Sequence, residues 1–457
     1  MVVRSLRPPV GRLAGSRSVG ACAFLLTLAG CASYHPTALD LRLPLRHSLG
    51  ALRHPGTSLP TLLPVQAVAY LAVENNPDLR AARAKLGVAE AQVLAAGILP
   101  NPQATASFTP VLGGPPPTLP AYSAGLTEDV KALVTLSARR QAARASALAV
   151  NADLLWQEWQ VIAKARLLTV DLVEGERQRR LLARSRDLLA GRYARARRAL
   201  AQGNAVLTAV TPDLVALQAV ETRLADLARV QQTRWHDLDA LLGLEPDVRL
   251  PLAHTLDLPP IDFGAVRRML PLLPDRRPDL IALRLGYQAQ EATLRAAILA
   301  QFPALLIGII GGRDVSDVRT LGPQVTLDLP IFNHNQGAIA VERATRARLR
   351  EEFRARLAAA EGKVEASLAD MAQLRRQIGF VRGQLARAER VAREAEAAFR
   401  AGNLDERSYV DLVITRLDTE QELISLERSL LDLQVATATL IGAGMPVITV
   451  PESEARS

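Results

Sequence analysis

Two kinds of hydrophobic periodicity run along this chain, and they appear in the same order twice. Ile378, Val381, Leu385, Ala388, Ala392, Ala395 and Phe399 are spaced by three and four residues in turn, and Leu423, Leu426, Leu430, Leu433, Thr437 and Leu440 follow the same rule. That spacing predicts helices that each bury one stripe against a partner helix, the seam of a coiled coil. Lys131 to Gln202 and Gly337 to Ala401 contain no proline. At 1.5 Å per residue, each run predicts a helix about 100 Å long. Gly203-Asn204 and Gly402-Asn403 close the two runs. A Gly-Asn pair accepts the left-handed backbone that ends a helix and lets the chain reverse.

Ahead of each long run the period changes to two. Ala104, Ala106 and Phe108 alternate with Thr105, Ser107 and Thr109, and Tyr122, Ala124 and Leu126 alternate with Ser123, Gly125 and Thr127. These stretches predict strands at about 103–109 and 121–128, with one apolar face and one small polar face. In the second half, Ala304 to Gly312 is too uniformly apolar to phase, whereas Val325, Leu327 and Leu329 alternate with Gln324, Thr326 and Asp328. The predicted strands there are about 304–312 and 321–329. The pattern suits a half-buried sheet and equally a membrane barrel, apolar toward lipid and polar toward a lumen. Four strands fall short of the roughly eight that close a barrel, so a barrel requires several chains.

The order repeats because the chain is duplicated. Asn76-Pro77-Asp78-Leu79 returns 201 residues later as Arg277-Pro278-Asp279-Leu280, and Glu90-Ala91 returns as Glu291-Ala292. Asp213-Leu214-Val215 returns as Asp411-Leu412-Val413. A period this long exceeds the roughly 20–50 residues of a solenoid unit, so it marks two architectural halves. Their extents are 65–245 and 275–445, joined by a proline-rich linker, 246–274, and flanked by an N-terminal segment, 31–64, and a tail, 446–457.

Composition narrows the function. Aromatic residues make up only 4%, while Ala, Leu and Arg dominate, which favours long helices over a compact mixed globule. The net charge is +9, and setting aside the four arginines of the first 30 residues lowers it to +5. Elsewhere basic and acidic residues interleave, as in Arg387-Ala388-Glu389-Arg390, which is a solvated helix face and no phosphate-binding stripe. Nucleic acid is therefore not an expected partner. Both cysteines lie within the first 31 residues, which excludes a disulfide framework or a Cys-based zinc site in the body.

Those first residues read as an address. Arg4, Arg7, Arg12 and Arg17 precede a short apolar run from Ala21 to Ala29. That run is too short to span a bilayer, which takes about 20 residues, and has the anatomy of an export signal. Leu28-Ala29-Gly30-Cys31 resembles a bacterial lipobox, which implies a signal peptide, 1–30, cleaved before Cys31, and acyl chains (palmitate among them) on that cysteine. Ala32 stands where inner-membrane lipoproteins carry a retaining Asp, so the resemblance points to the outer membrane. No stretch elsewhere has 18 consecutive apolar residues, so any further crossing must be built of strands.

Together these motifs resemble the TolC-type outer-membrane efflux factors, from roughly Val65 to Met445. The resemblance rests on the Asn76-to-Leu79 and Arg277-to-Leu280 pair, the Leu99-Pro100-Asn101-Pro102 exit into a strand, and Leu329-Pro330-Ile331-Phe332-Asn333 leading back to helix. It implies a mainly α fold with a membrane β-barrel portion. Three identical chains would form a twelve-stranded barrel continued by a periplasmic α-helical barrel, with an equatorial belt from the N-terminal segment, the linker and the tail. It implies a passive channel of a tripartite RND-type efflux system, working with a periplasmic adaptor and an inner-membrane pump, contacting outer-membrane lipid and using no cofactor. Phe332-Asn333-His334-Asn335-Gln336-Gly337-Ala338-Ile339-Ala340 is similar to the strand-to-helix turn of the heavy-metal cation branch, with drug or organic-compound efflux the other reading. The first copy departs from that branch, having Lys131-Ala132-Leu133-Val134 where a Gly-rich basic turn is usual.

By the same resemblance, Gly203, Asn204, Gly402, Asn403 and Leu404 would sit at periplasmic helix tips facing the adaptor. Asp411 would narrow the tunnel entrance, although Ile414 replaces the second acid expected a turn later. Pro100, Pro102, Pro303, Pro330, Asn333 and Gly337 would make the strand–helix turns. The six histidines show no pairing at metal-ligand spacing, so His334 reads as a turn residue, and four methionines form no thioether ladder. No nucleophile–base set or phosphate loop appears, so no enzyme is expected. Two alternatives stay open: the exit duct of a type I protein secretion system, and a periplasmic coiled-coil structural lipoprotein without a pore. Two matched pairs of amphipathic strands have no use in the latter.

Overall fold

The computed structural model describes residues 34–41, 45–54, 59–114 and 117–445. Cys31, the signal segment and the tail 446–457 lie outside the described residues. The chain divides into an N-terminal unit ending at Leu45 and a body beginning at Arg46. Residues 34–41 of the first unit are exposed and without regular structure.

In the body, each half runs helix, strand hairpin, long helix, shorter helix. The first half comprises α1 (Val65–Asn75), α2 (Pro77–Gly97), β1 (Gln103–Thr109), β2 (Ala121–Asp129), α3 (Val130–Ala201) and α4 (Leu207–Leu242). After a linker holding α5 (Phe263–Met269), the second half comprises α6 (Pro278–Leu299), β3 (Leu305–Arg313), β4 (Arg319–Leu327), α7 (Gln336–Arg400) and α8 (Glu406–Leu440). β3 begins one residue later than its apolar run suggests. β4 begins and ends two residues before the alternation does, because pairing with β3 fixes it and the alternation continues past the last pair.

The break between α1 and α2 shows how the duplicated tetrapeptide works and how it diverged. Asn76 caps α2, its Oδ1 accepting from Leu79 N at 2.9 Å, while its Nδ2 donates to Leu241 O at 2.9 Å. Pro77 opens the helix where a missing N–H costs nothing. In the second copy Arg277 offers no cap and instead forms a buried bidentate pair with Asp279, at 2.9 and 2.7 Å, while its Nη1 reaches Leu440 O at 3.4 Å. Each copy thus ties the start of its upper helix to the end of its lower one.

The helices stand in rows. Toward the strands the order of packing is α2, α3, α6, α7; toward the helix tips it is α4, α3, α8, α7. The long helices α3 and α7 run through both levels. Where the levels meet, Leu52 and Leu63 of the N-terminal stretch pack with Leu244, Leu250, α1 and α3. The linker residues Val266 and Leu273 pack with Ala360, Val364 and Leu368 of α7. The three-and-four seam is buried as its spacing demands: Ile378, Val381 and Leu423 pack with Leu385, Leu426 and Leu430. Ser367 and Thr437 form a buried hydroxyl pair at 2.6 Å within the same stripe.

Candidate channel wall and helix-tip site

The four strands form one antiparallel sheet in sequence order, so β1 and β4 are its open edges. Register assigns every side chain to a face. Ala104, Ala106 and Phe108 stand beside Leu126, Ala124 and Tyr122; these stand beside Ile309, Gly311 and Arg313; and those beside Pro323, Leu321 and Arg319. This face is apolar over its middle and ends in arginine at one rim, where the Arg313 guanidinium lies 5.2 Å over the Tyr122 ring. The other face carries Thr105, Ser107, Ser123, Thr127, Thr320, Gln324 and Thr326, together with Gly125, Gly308, Gly312 and Gly322, and two apolar side chains from β3, Leu306 and Ile310.

Pairing therefore supplies the phase that β3 lacks in sequence: Leu305, Ile307 and Ile309 join the apolar face. On the polar face Gly308 and Gly312 are compulsory. A Cβ on Gly308 would lie 2.0 Å from Leu126 O, and one on Gly312 would lie 2.5 Å from Tyr122 O. Four of the five strand glycines, all but Gly311, lie on this face, where the neighbouring backbone comes close.

The two exits from the sheet differ. β2 passes straight into α3, with Asp129 Oδ1 accepting from Lys131 N at 2.9 Å and Ala132 N at 3.3 Å. β4 reaches α7 through a turn in which Asn335 takes the left-handed backbone, φ 62°. Asn333 Oδ1 accepts from Asn335 N at 3.0 Å, and Asn335 Nδ2 donates to Ala297 O at 2.8 Å. Gly337 is not the turn's conformational glycine, since it lies inside the first turn of α7; Asn335 does that work. The ring of His334 stays beside Pro330 O at 3.2 Å, and Pro100, Pro102, Pro303 and Pro330 lie in the segments between helix and strand. Among the described residues no three metal-binding side chains converge.

At the opposite end the two helix hairpins turn alike. Gly203 and Gly402 have φ of 75° and 74°, with Asn204 N donating to Ala199 O at 2.8 Å and Asn403 N to Ala398 O at 2.9 Å. The side chains that follow differ. Val206 and Leu207 are exposed and leave α4 uncapped, whereas Asp405 caps α8 by accepting from Ser408 N at 2.9 Å. Leu404 is half-buried.

Past the tips, an ionic cluster joins three helices. Asp213 of α4 is buried, 3.1 Å from Arg192 Nε of α3, and accepts from Arg407 Nη2 of α8 at 2.7 Å. Arg192, also buried, pairs through Nη1 with Asp411. Asp411 is thus not a lone carboxylate: it is exposed but tied to α3. Its duplicate Asp213 holds the centre of the cluster, and the repeat of Asp-Leu-Val was the signal for it. Ile414 packs against the buried cluster of Ala392, Val413 and Leu417 instead of adding charge.

A family model described as outer membrane efflux protein matches residues 270–443. Solved structures agree over nearly the whole chain. The channel protein CusC is 20% identical with a TM-score of 0.67, covering 90% of this chain and 99% of that one. A membrane protein from Pseudomonas aeruginosa gives 18% and 0.69 with 90% and 97% coverage. The open-state MtrE outer membrane channel of Neisseria gonorrhoeae gives 17% and 0.66 with 90% and 98% coverage. The chain has the TolC-type channel fold. No curated protein sequence matches it.

A second ionic layer spans all four lower helices. Arg234 of α4 and Arg428 of α8 lie 3.3 and 3.4 Å from Asp171 of α3. Beside it, Arg177 of α3 lies 3.5 Å from Glu427 of α8, which accepts from Arg382 of α7 at 2.8 Å. Burial pushes the Asp432 carboxyl up to about 6, helped by the Asp171 charge and opposed by Arg428 and Arg234. Burial also raises Glu174, against the pull of Arg177. An oxygen of each acid has no hydrogen-bond donor, which is why desolvation dominates. At this level Gln231 of α4 lies over Gly175 of α3 and donates to Asp171 O at 3.1 Å.

Proposed function

We propose that this protein is the outer-membrane channel of a tripartite efflux system, built from three copies and anchored by acyl chains on Cys31. The observation that carries the reading is the sheet. One face is apolar, the other is polar and glycine-lined, both edges are open, and each hairpin continues into a long helix pair. A sheet apolar on its outside can face lipid, but unpaired edges cannot, because lipid offers the backbone no hydrogen bonds. Four strands from each of three chains close the edges into a twelve-stranded barrel. The helix rows are open in the same sense, with α2 and α4 at one end and α7 at the other. Exposed Val88 and Leu94 of α2, Ile98 just past its end, and exposed Val341 and Phe380 of α7 suit burial between copies.

In this reading substrate moves passively from an inner-membrane pump through a periplasmic adaptor. Gly203, Asn204, Gly402, Asn403 and Leu404 meet the adaptor, and the Arg192–Asp213–Asp411 cluster holds the tunnel entrance. The polar strand face has no charged side chain between Thr105 and Thr127 or between Thr320 and Thr326, so selection between heavy-metal cations and organic compounds rests with the pump. The test is the mass of the detergent-extracted protein with its heat-modifiable migration. A trimer that unfolds on boiling is expected, and a monomer at all temperatures refutes the channel. Cys31→Ser should abolish acyl labelling, and labelling that persists refutes the anchor.

A further inference from the structure

Hydrogen-bond parity can be followed across the sheet from two bonds at the ends of the β3–β4 ladder. Asp328 N donates to Ala304 O at 2.9 Å, and Asp314 N donates to Val318 O at 3.1 Å. Both are even-numbered positions, so even residues of β4 turn their N–H and C=O toward β3. Odd residues, 319 to 327, turn theirs to the open edge. Odd residues of β3 then face β2. Their partners (Arg313 with Tyr122, Ile309 with Leu126) make the even residues of β2 face β3. The odd ones face β1, where Ser123 meets Ser107 and Thr127 meets Gln103. The even residues of β1, Ala104, Ala106 and Phe108, face the other open edge.

The two edges match. Both present the backbone of residues whose side chains lie on the apolar face, as directly opposed residues of an antiparallel pair must. β1 runs opposite to β4, so a second copy can continue the ladder. Pro323, however, is an odd residue in the middle of β4, and it has no N–H. Pro102 and Pro110 bracket β1 at the same alternation as Ala104 and Phe108. Prolines in this sheet therefore fall where they subtract donors from the open edges, and none interrupts a pairing within the chain.

We propose that the seam between copies, where β4 of one chain meets β1 of the next, lacks a hydrogen bond at Pro323 in each of its repeats and is the weakest ladder of the barrel. This rests on the trimeric barrel proposed above. In a single copy the prolines blunt both edges against pairing with a wrong strand. In the assembled barrel one carbonyl of β1 opposite Pro323 has no donor, and lipid supplies none. The seam is therefore the ladder that parts first when the trimer dissociates.

The experiment measures how fast detergent-extracted trimers dissociate in dodecyl sulfate at a fixed raised temperature. Pro323→Thr restores one donor at each seam, and dissociation should slow by about tenfold or more, given the worth of a net hydrogen bond. The neighbouring positions Leu321 and Gly322 test parity. Leu321→Pro removes a seam donor and should still give trimers that dissociate about tenfold faster. Gly322→Pro strikes the β3–β4 ladder inside the chain and should give no heat-modifiable trimer. Dissociation of Pro323→Thr at the wild-type rate or faster overturns the proposal, as does equal damage from the two proline insertions. A wild-type protein that is monomeric throughout refutes the trimer itself, a result distinct from either.

Discussion

Replacing Asp213 with Asn should loosen the helix tips far more than the same change at Asp411, although the sequence marks the two as duplicates. The difference follows from burial. Asp213 has a side-chain exposure of 2% and is 3.1 Å from Arg192 Nε, whose own side chain is 9% exposed. Asp411 is 60% exposed. Removing one partner of a buried pair leaves the other charge uncompensated, at a cost of about 3–5 kcal/mol. Arg192 keeps Asp411 and the tip borders water, so a value near the lower end, about 3 kcal/mol, applies. The bond from Arg407 to Asp213 adds little, because Arg407 is 43% exposed and such pairs are worth about 0–1 kcal/mol. The Asp411 change falls in the same small range. Since each 1.4 kcal/mol is about a tenfold change, local opening should become roughly a hundredfold more frequent in Asp213→Asn and less than tenfold in Asp411→Asn. Amide hydrogen exchange reads this directly. Amides of residues 207–216 and 406–416 should exchange that much faster, with residues 163–182 of α3 unchanged. Equal acceleration by both substitutions, or none by Asp213→Asn, would refute the assignment of the cluster's strength to its buried limb.

Two further outcomes are expected from the ionic layer above the tips. A Cβ at Gly175 would lie 1.3 Å from Gln231 Nε2, the free end of a flexible side chain, so Gly175→Ala should displace the amide and lose its bond, about 1 kcal/mol. The gain of Ala over Gly in a helix, also about 1 kcal/mol, nearly cancels that loss. In a Gln231→Ala background the same substitution should stabilise by about 1 kcal/mol, read by chemical unfolding, and destabilisation there contradicts the packing. For Asp432, the folded carboxyl keeps its proton up to about pH 6, while the unfolded one releases it near pH 4. The folded state binds the extra proton between these values, so this group's contribution to stability falls as pH rises from about 4 to 6 and is level above. Asp432→Asn should therefore be more stable than wild type at pH 7.5, by on the order of 2 kcal/mol, with the difference shrinking below pH 6. A pH-independent difference in melting temperature rejects the raised carboxyl.

What the sequence made legible was whatever repeats locally. The long helices follow from proline-free runs and a three-and-four stripe, the tip turns from Gly-Asn, and β1 and β2 from alternation confined to a few residues. What it hid was set by partners distant along the chain. β3 is apolar at nearly every position, so only its pairing with Tyr122–Asp129 and Arg319–Leu327 decides which side chains face which way. The strand expected at 321–329 runs through Pro323, and why a proline is tolerated there shows only once its N is seen to face an open edge. Asn335 carries the left-handed turn, a choice between it and Gly337 that composition alone leaves even. The pairs Arg192–Asp411 and Arg407–Asp213 join residues about two hundred positions apart, and only the duplicated Asp-Leu-Val hinted at them.

The divergence of the two copies then has a physical logic. Duplication gives each chain equivalent helix hairpins, and equivalent positions meet across the row: Asp213 of one copy and Asp411 of the other converge on the single arginine Arg192. Two carboxylates at identical depth around one cation would leave one of them without full compensation in a buried site. Burying Asp213 and leaving Asp411 exposed resolves that conflict, because water solvates the exposed side chain. If the hairpins part, Asp411 and Arg407 leave together on α8, while Asp213 and Arg192 stay paired within the first hairpin. The same division recurs at the tips, where Val206 and Leu207 are apolar against Asp405 and Glu406. A partner that meets both tips of one chain must therefore offer two different surfaces, and a ring of three such chains would present them in strict alternation.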